Sequence, residues 1–137
     1  MNITHGEFKI STKNNLLITD AMGPFNKQLI QKFAADIEQE IRSFNAHWGQ
    51  IAILRGNCLL IPEAAKELEK VTIFRKNNGQ KYIAIVLLNT QCTFILEKQL
   101  SEIYLSVQIP FKFFSHYSFA EEWITDKLTA PKSCINN

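Results

Sequence analysis

Cys58 is the residue best placed to do chemistry in this chain of 137 residues. It stands just ahead of Pro62, and proline suits the first turn of a helix. A thiol near a helix N-terminus is drawn towards the thiolate, its reactive form. A nucleophile also needs a base, yet His5, His47 and His116 all lie far from Cys58 in sequence. Cys58 therefore reads first as a small buried side chain. Cys92 and Cys134 are equally remote, and no Cys-x-x-Cys or His-x-x-x-His spacing is present to hold a metal. Glu121 and Glu122 are adjacent, so on a helix they point to different sides and make a poor acid–base pair. Gly6, Gly23, Gly49, Gly56 and Gly79 are isolated and form no phosphate-binding loop. These residues imply no catalytic site, metal or cofactor, and the expectation is a protein that is not an enzyme.

The bulk properties narrow the setting. An apolar fraction of 46% and a charged fraction of 20% are those of an ordinary globular protein. A net charge of +2 with interspersed signs argues against a nucleic-acid partner, which needs clustered Lys and Arg. The longest apolar run, residues 83–88, falls far short of the roughly 20 residues of a membrane span. Three widely spaced cysteines make a poor disulfide framework, and no apolar signal core follows Met1. Both point to a reducing cytoplasm. The closing residues Cys134-Ile135-Asn136-Asn137 fit a prenylation box badly. The expected organisation is one domain over residues 1–128, with 129–137 as a flexible tail.

The elements that would position these groups follow from apolar spacing. Residues 8–11 and 16–19 read as a hairpin joined through Thr12-Lys13-Asn14-Asn15, and Gly23-Pro24 breaks the second strand. Asn26 can cap a helix whose inner stripe is Leu29, Phe33, Ile37 and Ile41, flanked by Ile30, Ala34 and Phe44. Residues 51–54 and 82–88 are apolar without alternation, as in strands buried on both faces. Between them a helix starts at Pro62, with Ala65, Leu68, Val71 and Ile73 or Phe74 facing inward, and ends at Gly79. Residues 71–76 also read as a strand entering an Asn78-Gly79 hairpin. The helix is favoured because the helix-forming run Glu63–Lys70 leads directly into them. Leu96, Leu100, Ile103 or Tyr104, and Val107 mark a third helix, which Pro110 stops. A strand over 111–114 precedes the last helix, over 118–128. Phe111 and Phe113 share a face and pack mainly into the core. Ser118 and Glu121 have capping-box spacing, with Phe119, Trp123 and Leu128 inward.

The resulting order, β-β-α-β-α-β-α-β-α, implies an α/β fold: a single, mainly parallel mixed sheet edged by an N-terminal antiparallel hairpin. That order resembles the SpoIIAA-like family of the STAS superfamily. The likeness is carried by the hairpin entering a long helix through Gly23-Pro24, by Trp48 before the 51–54 strand, and by the aromatic strand and acidic, Trp-bearing helix of 113–124. It covers roughly residues 5–128. The resemblance implies a non-enzymatic module. The best-known STAS members are antagonists of anti-sigma factors, switched by phosphorylation of a Ser at the helix start after the third strand. SpoIIAA-like members resemble the lipid-binding domain of SEC14-type proteins and imply apolar ligands or membrane contact. In this chain the corresponding loop is Gly56, Asn57, Cys58, Leu59, Leu60, Ile61 and Pro62, and it has no hydroxyl to accept a phosphate.

That loop is nevertheless the expected ligand- or partner-binding site, because open α/β sheets bind beyond the carboxyl ends of their strands. Leu59, Leu60 and Ile61 either line a pocket, present a partner surface or simply fasten the helix to the core. Two functions compete. One is regulatory protein–protein interaction without the usual phospho-acceptor serine. The other is binding of an apolar small molecule or lipid with transient, peripheral membrane contact. A sizeable enclosed apolar cavity beside residues 59–61 would favour the second, and a flat packed surface the first. A homodimer stays open.

Overall fold

The computed structural model describes residues 6–45 and 47–130. His5, Cys134 and the tail from residue 131 lie outside them. Strands β1 (Glu7–Lys13) and β2 (Leu16–Met22) pair antiparallel, with Lys13 opposite Leu16. The hairpin therefore turns on Asn14 and Asn15 alone, tighter than the four-residue connection expected from sequence. Asn14 takes a left-handed φ of 55°, a conformation that Asn tolerates. Met22 ends the strand, and Gly23-Pro24 is a cis peptide.

Asn26 caps α1 (Lys27–Ile41), its side chain accepting from the Leu29 N–H at 2.8 Å. Strand β3 (Trp48–Gly56) follows, then α2 (Pro62–Asn77), β4 (Gln80–Thr90), α3 (Thr93–Val107), β5 (Phe111–Phe114) and α4 (Tyr117–Thr129). Residues 71–76 are helical, so the hairpin alternative is excluded. The sheet runs β1-β2-β3-β4-β5 and is parallel from β2 onward. Three successive right-handed crossovers, each advancing one strand the same way, place α1, α2 and α3 on one face. Their side chains form the larger core with Leu17, Trp48, Ala52, Ile83 and Ile85. Helix α4 alone serves the other face, over Leu16, Ile51, Ile53, Ala84 and Val86. It sits close there: a Cβ at Gly49 would lie 2.7 Å from Ile124 Cδ1. Phe111 and Phe113 pack into the first core, while Phe114 and Trp123 pack into the second. Among the described residues no helix is long and apolar enough to cross a membrane.

Two helix faces differ from their sequence readings. His116, not Ser118, is the N-cap of α4, and no side chain caps that end. Glu121 instead accepts from Lys13 Nζ at 2.8 Å, tying α4 to the β1–β2 hairpin. The ion pair holds the Lys13 amine above its ordinary pKa. With the helix set this way, Ala120 and Ile124 are buried and Phe119 is 57% exposed, not inward. In α2 the buried residues are Ala64, Val71, Thr72 and Arg75, while Ile73 and Phe74 face outward. The helix is turned so that a charged side chain, not an aromatic one, enters the core.

Candidate functional site

Small side chains floor the sheet on the face covered by α1–α3. Alternation turns Thr19 and Ala21 of β2, and Gln50, Ala52 and Leu54 of β3, towards these helices. Thr19 and Ala52 are register partners, so two short side chains lie side by side at the centre of the sheet. Phe33, Leu68 and Tyr104 line the space above that floor from the helices. A cavity of about 80 Å³ remains, with Phe8, Phe25, Leu29, Leu60, Leu100 and Cys58 completing its wall. That is about half the roughly 150 Å³ of an apolar cavity that binds benzene.

One wall is polar and fully buried. Gln50 Nε2 donates to Thr19 Oγ1 at 3.1 Å, Gln80 Nε2 donates to Gln50 Oε1 at 3.2 Å, and Arg75 Nε donates to Gln80 Oε1 at 2.9 Å. Arg75 Nη2 donates to Thr72 Oγ1 at 3.1 Å, and that hydroxyl donates on to the Leu68 carbonyl at 2.7 Å. The chain joins α2 to three strands. It ends on a guanidinium that is 1% exposed. The Phe33 ring lies 5.8 Å from the guanidinium carbon and gives a cation–π contact. Among the described residues, Arg75 Nη1 is the one buried side-chain nitrogen or oxygen without a hydrogen-bond partner. Burial lowers the Arg75 pKa to about 10, so the charge persists at neutral pH. Tyr104 lines the same cavity, and burial raises its phenol above the ordinary value, leaving a neutral O–H.

The loop singled out from sequence divides in two. Gly56 ends β3 at φ 73°, and its carbonyl accepts from the Gln91 N–H at 3.1 Å. The Asn57 carbonyl packs on Gly23, where a Cβ would collide with it. Leu60 is buried, with its N–H and carbonyl both bonded to the Gln99 amide at 2.9 and 3.0 Å. Cys58 and Leu60 reach the cavity. Leu59 is half-buried, while Asn57, Ile61 and Pro62 face outward, Ile61 at 58% exposed. The loop is thus one rim of the site and not its centre.

The Cys58 thiol donates to the Arg55 carbonyl at 3.1 Å, and burial pushes its pKa up to about 11. It is a neutral thiol, the reverse of an activated nucleophile. His47 and His116 are both exposed. Glu121 and Glu122 diverge, Glu121 to Lys13 and Glu122 to solvent. No group of three or more His, Cys, Asp or Glu that could hold a metal occurs among the described residues.

Sequence reading missed the residues that give the cavity its character: Arg75, Gln50, Thr19, Phe33 and Tyr104. A signal existed. Ala64, Leu68, Val71, Thr72 and Arg75 follow helical spacing, and Thr19, Gln50 and Ala52 interrupt strands otherwise rich in bulky side chains. The chain matches no family model, no curated protein and no solved structure.

Proposed function

We propose that this chain is a non-catalytic α/β module that holds a small apolar ligand between its sheet and helices α1–α3. The cavity of about 80 Å³, floored by Thr19 and Ala52, carries this reading. Natural cores are close-packed, so a void over paired short side chains fits a site kept open for an occupant. At about half the volume of a benzene-binding cavity, it suits a chain of a few carbons and not a ring or a whole lipid. The element order supports kinship with SpoIIAA-like STAS modules, whose resemblance implies the same kind of ligand.

The test uses isotope-labelled protein and xenon, an apolar atom smaller than benzene, as probe. Saturable amide shifts at Ala21, Ala52, Leu60 and Leu68 are expected. The variant Ala52→Ile, which fills the floor, abolishes them while keeping the remaining spectrum. Absence of saturable shifts in the wild-type protein refutes the reading.

Exposed Ile61 at the start of α2 favours a second reading, regulatory docking of a protein partner on the loop from Gly56 to Pro62. In that case Ile61→Glu removes a partner captured from the native cell, and xenon binding is unaffected.

A further inference from the structure

We infer that the cavity selects a small apolar monocarboxylate, whose anionic head is held by Arg75 and Tyr104. This rests on the cavity being a ligand site. Arg75 lacks a counter-charge among the described residues. Ion pairs form at Lys13–Glu121, Lys32–Asp36, Arg42–Glu38 and Arg55–Asp20, and no carboxylate of the described residues lies within ion-pair distance of Arg75. A buried cation without an anion is strongly disfavoured. Thr72, Gln80 and the Phe33 ring occupy Nη2, Nε and one face of the guanidinium, yet Nη1 keeps no partner.

The donors set the class of ligand. Nη1 of Arg75 and the hydroxyl of Tyr104 are two donors, which suits the two oxygens of a carboxylate. A phosphate has more oxygens and more charge than this wall can satisfy. Phe8, Phe25, Leu29 and Leu100 make the rest of the lining apolar, so the body of the ligand is a short hydrocarbon chain. Thr72 and Gln80 already orient the guanidinium, so little ordering remains for binding.

Calorimetric titration of the full chain compares acetate with ethanol and propionate with propanol, probes small enough for the cavity. The acids bind more tightly by roughly tenfold or more, the scale of a charge-assisted hydrogen bond in a dry site. Arg75→Met reverses the preference, and Tyr104→Phe weakens the acids while leaving the alcohols unchanged. The wild-type ratio of acid to alcohol needs no variant to fold. Alcohols binding as well as acids, or Arg75→Met holding acids as the wild type does, overturns the assignment of Arg75 and leaves the apolar site standing. Failure of all four probes overturns both readings.

Discussion

Arg75 gives the sharpest test of how this core is built, because its replacement should stabilise the protein. Burial lowers its pKa from the ordinary guanidinium value to about 10. At neutral pH that amounts to a penalty of about 3 kcal/mol for keeping the charge. Arg75→Met removes the penalty. It costs the Gln80 Oε1 acceptor its donor, about 2 kcal/mol for a buried unsatisfied group. Thr72 loses little, since its hydroxyl still donates to the Leu68 carbonyl. Methionine also keeps a favourable contact with Phe33, sulfur on ring in place of cation on ring. The balance is a gain of about 1 kcal/mol, small beside the individual terms and opposite in sign to most core substitutions.

The pH dependence supplies an independent check. The folded pKa of Arg75 lies below the unfolded value, so the unfolded chain binds the extra proton from about pH 10 up to the ordinary guanidinium value. Wild-type stability therefore recovers as pH rises through that window, and the advantage of Arg75→Met shrinks. Urea unfolding followed by tryptophan fluorescence measures both effects, with fully buried Trp48 as reporter. Taking the difference between wild type and variant cancels the lysines and tyrosines that titrate in the same range. A loss of more than about 2 kcal/mol at neutral pH would refute the reasoning, because losses of that size mark the breaking of a compensated buried pair.

Three further outcomes follow from the geometry. Iodoacetamide at neutral pH should label exposed Cys92 rapidly and Cys58 only at the rate of opening, as mass mapping over time will show, because the Cys58 thiol is buried with a pKa of about 11. Gly23→Ala should lower the urea-unfolding stability by about 3 kcal/mol, since the added methyl meets the Asn57 carbonyl and the backbone there has to shift. Trp48→Phe should cost about 2 kcal/mol in the same assay, through loss of the 2.8 Å bond from Nε1 to the Asn78 carbonyl and a small void beside Phe44.

Local spacing carried most of the fold and little of the site. Asn26 capped its helix as its position indicated, and β5 formed over residues 111–114 because Pro110 and the aromatic run leave few alternatives. Alternation of elements indicated a mainly parallel sheet edged by an antiparallel hairpin, and the structure has that sheet. Where two local readings competed, tertiary contacts decided. The spacing of Ser118 and Glu121 suits a capping box, but Glu121 finds Lys13, 108 residues away. Ile73 and Phe74 outrank Arg75 on any hydropathy scale, yet the helix is phased by Ala64, Val71 and Thr72. The partners that make an inward Arg75 tolerable, above all Gln80, are brought to it by the sheet. Of the seven loop residues from Gly56 to Pro62, Cys58 and Leu60 reached the cavity, because strand ends place a loop near a site without saying which side chains enter it.

A void and an unpaired charge at one place argue more strongly than either alone. A void of this size over Thr19 and Ala52 is within the range that natural cores tolerate, at some cost in stability. A buried arginine without a carboxylate is costlier, and a leucine or methionine at position 75 would remove that cost. The polar chain from Thr19 to Arg75 satisfies the side-chain atoms along its length and leaves one buried nitrogen of Arg75, a residue of the cavity wall, without a partner. Stability alone would favour filling the space and neutralising the cation. An occupant that supplies both a hydrocarbon body and an anionic head resolves the two defects together, which is why the ligand reading ranks above that of a surface module docking through Ile61.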